Sequence, residues 1–169
     1  KRDRLADIAH PNFVFHHVDF ADPQALNDAL RTVDVDTIVH LGAQAGVRYS
    51  LINPRAYAQS NLVGHLNLLE LARERGVRQM IYASSSSVYG NAQALPLRVS
   101  DRVDHPISLY AATKKANELM SESYAHLYRI PLTGLRFFTV YGRWGRPDMA
   151  IWIFAEKILS GQPITVYNQ

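Results

Sequence analysis

Short apolar runs alternate with longer segments of helical periodicity along this chain. Runs rich in β-branched and aromatic residues predict strands at 13–18, 36–41, 78–83, 132–137 and 164–167. Segments with apolar residues three or four positions apart predict helices at 24–31, 54–75, 108–128 and 148–160. Strands that alternate with helices of these lengths predict an α/β fold with a parallel, doubly wound sheet covered by helices on both faces.

Polar segments follow three of the predicted strands, at 42–50, 84–90 and 139–148. In open parallel sheets, ligands bind outside the carboxyl ends of the strands. We therefore expect a functional site to be built from these three segments.

Composition places the chain among globular proteins and excludes several other classes. Of its 169 residues, 47% are hydrophobic and 20% are charged, which is ordinary for one domain with a sizeable core. Cysteine is absent, so a disulfide framework and a thiolate metal site are excluded, and we predict no metal centre. The net charge of +3 is too small for a nucleic-acid footprint, and no apolar run reaches the roughly 20 residues of a membrane helix. We therefore predict neither nucleic acid nor a membrane as a partner.

Tyr110 and Lys114 stand four residues apart in a predicted helix and therefore share one of its faces. A nearby ammonium favours a phenolate over a phenol, so such a pair can take a proton from a sugar or alcohol hydroxyl. The same spacing arises by chance in many helices, where the two residues only pack on the surface. The context favours chemistry, because four serines at 84–87 end a predicted strand 23 to 26 residues upstream. Their hydroxyls can donate and accept hydrogen bonds at a reacting oxygen.

Five segments resemble, in the same order, motifs of the extended short-chain dehydrogenase/reductase family of nucleotide-sugar enzymes. They are 40–48, 61–64, 83–90, the Tyr110–Lys114 pair and 136–142. The resemblance covers nearly the whole chain and implies a Rossmann-type NAD-binding domain. Further segments are most similar to the members that epimerise carbon 4 of UDP-glucuronate, namely 104–106, 110–118 and 144–149. The resemblance therefore implies a cytoplasmic enzyme that oxidises a UDP-sugar transiently at carbon 4, with NAD as its cofactor.

The resemblance also implies roles for individual side chains. Three are implied to be catalytic: Tyr110 as base and later acid at the carbon 4 hydroxyl, Lys114 on the nicotinamide ribose, and Ser85 as the triad serine. Besides Tyr110 and Lys114, the residues implied to bind NAD are Asp19, Phe20, Leu41, Ala43, Gln44, Asn61 and Phe137. The residues implied to bind the sugar are Arg48, Ser85, Ser86, Ser87, Thr139 and Arg146.

Arg146 has a specific expected task. Oxidation at carbon 4 of a glucuronate gives a β-keto acid, which loses carbon dioxide readily unless its carboxylate is held in another orientation. A guanidinium binds a carboxylate through two parallel hydrogen bonds, so Arg146 is a suitable clamp. A solvated loop arginine is the simpler alternative. The neighbouring Arg143 stands where the family usually has proline, and the sequence gives no role for it.

Other reactions of the same family stay open as alternatives. UDP-glucose 4-epimerisation uses the same core chemistry and differs only in the pocket. UDP-glucuronate decarboxylases usually carry asparagine where Thr139 stands, which makes decarboxylation the weaker alternative. Dehydratases of the family have an acidic pair after the triad Ser/Thr, whereas Ser86 and Ser87 follow Ser85, so dehydration is disfavoured.

The resemblance also implies that the chain corresponds to the middle of a longer family member. The glycine-rich turn that receives the pyrophosphate at a helix N-terminus has no counterpart here. We assign 1–160 to a partial NAD-binding domain with the catalytic residues, and 161–169 to the start of the substrate-binding portion. A non-catalytic fragment, poorly stable because sheet edges are exposed, is therefore a further alternative. For the intact protein, the resemblance implies a homodimer through the helices near 54–75 and 108–128.

Overall fold

The computed structural model describes residues 2–5, 8, 10–92 and 95–166. The chain divides into two compact units, one of residues 15–138 and the other of residues 1–14 together with 139–169. The sequence-based division at residue 160 concerns function and stays a prediction.

A three-stranded parallel sheet forms the centre of the unit 15–138. Its strands are β1 (Thr37–His40), β2 (Gln79–Ser85) and β3 (Leu132–Phe137), in the spatial order β1-β2-β3. The ladder between β2 and β3 ends on the pair Ser85 and Phe137. The parallel α/β sheet predicted from the sequence is therefore present.

The helices of this unit precede and follow the strands as the periodicity predicts. They are α1 (Pro23–Ala29), α2 (Tyr49–Ile52), α3 (Pro54–Tyr57), α4 (Gly64–Arg75) and α5 (Leu109–Tyr128). A π-helical turn, Ala58–Val63, joins α3 to α4, so the predicted helix 54–75 is one continuous run with a wider turn inside it. The other unit carries a short 3₁₀ turn, Arg2–Leu5, and helix α6 (Ala150–Leu159).

Capping residues explain where the two long helices begin and end. Asn53 accepts a hydrogen bond from the amide of Ala56 ahead of α3, and the hydroxyl of Ser108 accepts one from the amide of Ala111 ahead of α5. Gly76 ends α4 in the left-handed conformation, with φ of 61°, which costs glycine little.

The core lies between one face of the sheet and helices α4 and α5. Strand residues Ile38, Met80 and Tyr82 are buried there against Leu69 and Ala72 of α4. Burial of each large apolar side chain contributes about 1.5–3 kcal/mol. This packing fixes α5, and with it Tyr110 and Lys114, against the carboxyl ends of the strands.

Three local predictions differ from the structure. Residues 13–17 are exposed, Val18 is half-buried and the whole segment is irregular, so the strand predicted there is wrong. An apolar run becomes a strand only where a neighbouring strand pairs with it. Residues 164–166 are also irregular, while Tyr167 lies outside the described residues. Helix α2 was not predicted, because its four residues are too few to show a period.

None of the helices in the described ranges is long and apolar enough to cross a membrane.

Candidate active site

Tyr110 and Lys114 lie one turn apart at the start of α5, as the sequence predicts. Tyr110 is the second residue of the helix and is half-buried, whereas Lys114 is buried. The ammonium of Lys114 donates a hydrogen bond to the carbonyl oxygen of Ala83 on β2, at 2.8 Å. The helix is thus attached to the strand immediately before the serine run.

Burial lowers the pKa of Lys114 to about 8, because the ammonium has lost solvating water. The group remains mostly charged at neutral pH. A buried ammonium that keeps its charge is a strong hydrogen-bond donor, suited to hydroxyl groups of a ligand or to a phenolate.

The serine run turns from strand to helix at its second member. Ser85 ends β2, and its hydroxyl accepts a hydrogen bond from the amide of Ser87 at 3.2 Å, which caps the 3₁₀ turn Ser86–Tyr89. Ser84 and Ser85 are buried, and Ser86 and Ser87 are half-buried. The four adjacent serines therefore have different surroundings.

Ser84 contacts an ion pair, formed by Glu118 and Arg136, that the sequence did not indicate. Its hydroxyl donates to Glu118 Oε1 at 2.6 Å, and both oxygens of Glu118 accept hydrogen bonds from Arg136 on β3, each at 2.9 Å. Burial alone raises the pKa of Glu118, but the hydrogen bonds from Arg136 and Ser84 outweigh it and hold the pKa low. The guanidinium also lies 4.9 Å from the ring centroid of Tyr89. These contacts join the ends of β2 and β3 to α5.

Asn61 joins the segment after β1 to α5. Its Oδ1 accepts a hydrogen bond from the amide of Gln44 at 2.8 Å, and its Nδ2 donates to the Gln44 carbonyl and to Thr113 Oγ1, each at 3.0 Å. Asn117 donates to the Asn61 carbonyl at 2.6 Å, inside the π-helical turn. Since both amide hydrogens of Asn61 are used within the protein, its contacts point to a role in holding Gln44.

Phe20 lies in a notch formed by two glycines. A Cβ added at Gly42 would lie 2.8 Å from the Phe20 ring, and one added at Gly64 would also clash with it. The carbonyl oxygen of Phe20 accepts a hydrogen bond from Asn67 at 3.1 Å, and the carboxylate of Asp19 accepts one from the amide of Ala21. Asp19 and Phe20 are thus fixed beside the end of β1.

Two buried histidines near this notch were missed by the sequence analysis, and the ring of one of them, His40, lies 5.2 Å from the Phe20 ring. The rings of His40 and His65 lie 5.5 Å apart, and His65 Nε2 lies 2.9 Å from Ser121 Oγ. Burial is the main cause that lowers the pKa of His40 to about 4 and that of His65 to about 3. Both imidazoles are therefore neutral at physiological pH.

The remaining predicted site residues of the unit 15–138 are more exposed. Leu41 and Phe137 are exposed at the ends of β1 and β3, and Ala43 is half-buried. Arg48 is exposed and precedes α2.

Thr139 and Arg146 belong to the other unit. Thr139 is exposed, and Arg146 forms a two-point ion pair with Asp148, in which the Nε–Oδ1 distance is 3.0 Å. The contact with a substrate carboxylate that the sequence analysis expects of Arg146 stays a prediction, because the guanidinium is paired here with a carboxylate of the protein itself. The carboxylate partner of Arg146 belongs to the same loop.

The described residues contain no cluster of side chains that could hold a metal ion.

Comparison with known proteins shows the family to which the chain belongs. A family model described as the NAD dependent epimerase/dehydratase family matches residues 1–169. Protein CapI of Staphylococcus aureus is 53% identical over 168 residues, which are 99% of this chain and 50% of that protein. A probable UDP-glucuronate 4-epimerase of Rhizobium meliloti is 53% identical over 148 residues, which are 88% of this chain and 43% of that protein. The chain therefore spans about half the length of the curated relatives it matches.

A solved structure gives the same result for the fold. The UDP-glucuronic acid 4-epimerase of Bacillus cereus, in complex with UDP-glucuronic acid and NAD, is similar with a TM-score of 0.86 at 31% identity. The similarity covers 96% of this chain and 50% of that one. The predicted Rossmann-type fold is thereby confirmed.

Proposed function

The chain belongs to the NAD-dependent epimerase/dehydratase family, and from this premise we propose that the protein epimerises carbon 4 of a UDP-sugar, with UDP-glucuronate as its substrate. The observation that carries the proposal is the attachment of buried Lys114 to the Ala83 carbonyl, one helical turn from Tyr110 and next to the serine run. This arrangement combines a proton-transferring phenol, a buried cation and serine hydroxyls at the end of a strand.

The residues around Lys114 fit the ribose and nicotinamide portion of NAD. Within the described residues, Lys114 uses one of its three N–H donors on Ala83, so two are available for ribose hydroxyls. Gln44, held by Asn61, and the half-buried Ala43 would line the cofactor on the side of β1, and Phe137 on the side of β3. NAD bound there supplies reversible oxidation of carbon 4.

Tyr110 carries the proton in the proposed reaction. As a phenolate it removes the proton of the carbon 4 hydroxyl, and it returns that proton to the oxygen once the configuration at carbon 4 has been inverted. Lys114 supplies a positive charge one helical turn away from this phenol. Ser85 has accepted a hydrogen bond from Ser87, so its own O–H can be donated to the sugar oxygen.

The identity of the sugar rests on Arg146, and with it on the loop 139–148. Its two-point pair with Asp148 is the arrangement in which a guanidinium would bind the carboxylate of glucuronate. We propose that the sugar carboxylate takes the place of Asp148 and is thereby kept from the orientation in which carbon dioxide is lost.

The test is a chromatographic assay of the full-length protein with NAD and, separately, UDP-glucuronate and UDP-glucose. We expect UDP-galacturonate from the first sugar and much slower conversion of the second. Tyr110→Phe is the inactive control, because it keeps the ring and removes the proton-carrying oxygen. A UDP-pentose product would contradict the proposed role of Arg146, and preferred conversion of UDP-glucose would change the substrate. No product from either sugar would contradict the epimerase proposal.

A further inference from the structure

A second tyrosine, Tyr57, lies directly against Tyr110. The two ring centroids are 6.2 Å apart and the ring planes meet at 77°, which is the favourable edge-to-face arrangement. Tyr57 is the last residue of α3 and is fully buried, whereas Tyr110 is half-buried in the first turn of α5. A buried, fixed ring is thus packed against the ring that has to act on the substrate.

The hydroxyl of Tyr57 is used within the protein. It donates toward the carbonyl oxygens of Ala45 and Gly46, at 3.1 and 2.5 Å. Gly46 has φ of 105°, a conformation that suits glycine. Because Tyr57 is buried and its hydroxyl points to these carbonyls, it cannot replace Tyr110 as the group that exchanges a proton with the sugar.

The same segment, Gln44 to Gly46, reaches Tyr110 by a second path. Gln44 is held by Asn61, which donates to Thr113 Oγ1, and Thr113 donates to the backbone carbonyl of Tyr110 at 2.8 Å. The path through Thr113 fixes the main chain of Tyr110. The path through Tyr57 contacts its ring.

We propose that Tyr57 is a positioning residue, which holds the phenol ring of Tyr110 in the orientation needed for proton transfer by joining it to the segment 44–46. The inference rests on the proposed function, since it assigns Tyr110 the proton. Tyr110 is half-buried in the first turn of α5, and the contact with Tyr57 acts on its ring. The helix supports only the backbone there, and a misplacement of about 1 Å at a reacting group can cost roughly 100-fold in rate.

Two substitutions separate the ring of Tyr57 from its hydroxyl. Tyr57→Phe keeps the ring and removes the link to the carbonyls, whereas Tyr57→Leu removes both. We expect kcat to fall about threefold in Tyr57→Phe and about thirtyfold in Tyr57→Leu, with KM for UDP-glucuronate within about twofold of wild type.

A matched control and a readout independent of activity complete the test. Tyr124→Phe also removes the hydroxyl hydrogen bond of a half-buried tyrosine, the one from Tyr124 on α5 to Glu70, and should leave kcat unchanged. In protein labelled with 3-fluorotyrosine, the ¹⁹F resonance of Tyr110, assigned by its loss in Tyr110→Phe, should shift and broaden in the Tyr57 variants. The control should leave it in place.

The outcomes decide the two proposals separately. Folded Tyr57 variants with unchanged kcat and an unchanged Tyr110 resonance would overturn the positioning role. If Tyr57→Leu does not fold, Tyr57→Phe decides by the same two measurements. If the wild-type protein has no epimerase activity, the proposed function fails, while the Tyr110 resonance still shows whether Tyr57 holds that ring.

Discussion

The end of β2 and the loop 139–148 are both predicted to contribute site residues, but the structure holds their polar side chains in different ways. Ser84 and the backbone of Ala83 are fixed by Glu118 and Lys114, which lie on another element and are at least partly buried. In the part of the chain that the structure describes, Arg146 is held by Asp148, two residues along the same loop. A network between elements cannot change without disturbing the fold, whereas a local pair can. The difference fits the proposal that the first region carries out the reaction and the second recognises the sugar.

The largest expected effect comes from removal of the Tyr110 hydroxyl at the region that contains the serine run. We expect Tyr110→Phe to lower kcat at least about 1,000-fold, within the range that a general base contributes. Thermal unfolding should stay close to wild type, because Tyr110 is half-buried and keeps its ring. Steady-state kinetics with UDP-glucuronate measure the effect. A variant that retains a tenth of the activity would remove Tyr110 from the chemistry.

Two ion pairs test whether polar contacts between elements contribute more to the free energy of unfolding than exposed pairs do. Glu118→Gln leaves the guanidinium of Arg136, only 17% exposed, without its carboxylate and should cost about 3 kcal/mol in the free energy of unfolding. Asp36→Asn breaks a pair with Arg78 whose side chains are 64% and 68% exposed and should cost less than about 1 kcal/mol. Urea unfolding of both variants at pH 7 provides the measurement. Equal losses would mean that the network between β2, β3 and α5 contributes no special stability.

The buried histidines predict a pH dependence of stability. Both have lower pKa values in the folded state, about 4 for His40 and about 3 for His65, than the value of 6.5 for an unperturbed imidazole. Below pH 6.5 the unfolded state therefore binds more protons, and stability falls as the pH decreases toward 4. The slope approaches about 1.4 kcal/mol per pH unit for each imidazole.

His65→Gln tests this dependence against the wild type. The slope of unfolding free energy between pH 6 and pH 4.5 should fall to about half, since one of two titrating groups remains. Denaturant unfolding at several pH values measures it. An unchanged slope would show that carboxylates, not these imidazoles, dominate the loss of stability.

The smallest expected effect is that of Arg146→Ala, which tests whether the loop 139–148 recognises the sugar. Arg146→Ala should raise KM for UDP-glucuronate about fivefold and leave KM for UDP-glucose within about twofold, the loss of one partly solvated charged contact. The unfolding transition should not move, because Arg146 contacts only its own loop neighbour Asp148 among the described partners. Product analysis also shows whether decarboxylation increases. Equal changes for both sugars would exclude Arg146 as the carboxylate partner.

Much of the fold could be predicted because its signals are local. The helix over 108–128 and the strand over 132–137 follow from period and capping, and the structure has them at nearly the same residues. The strand expected at 13–18 failed because pairing is not a local property. The π-helical turn could not be predicted either, since it is stabilised by Asn117, far along the chain from Asn61.

The site divides in the same way. Tyr110 and Lys114 could be found from the sequence because helical spacing alone places them on one face. Tyr57, Glu118 and Arg136 were missed, since each matters only through a partner on another element. A sequence motif identifies the groups that react, while the groups that hold them become visible only with the tertiary contacts.

The central proposal is that residues of the unit 15–138 catalyse transient oxidation and then reduction at carbon 4 of the sugar. It is tested most directly with UDP-glucuronate that carries deuterium at carbon 4, incubated with the full-length protein and NAD, and analysed by mass spectrometry. We predict UDP-galacturonate that keeps its deuterium, because the hydrogen leaves and returns within one closed site, and no product from Tyr110→Phe. A UDP-galacturonate that has lost its deuterium to solvent would contradict the account.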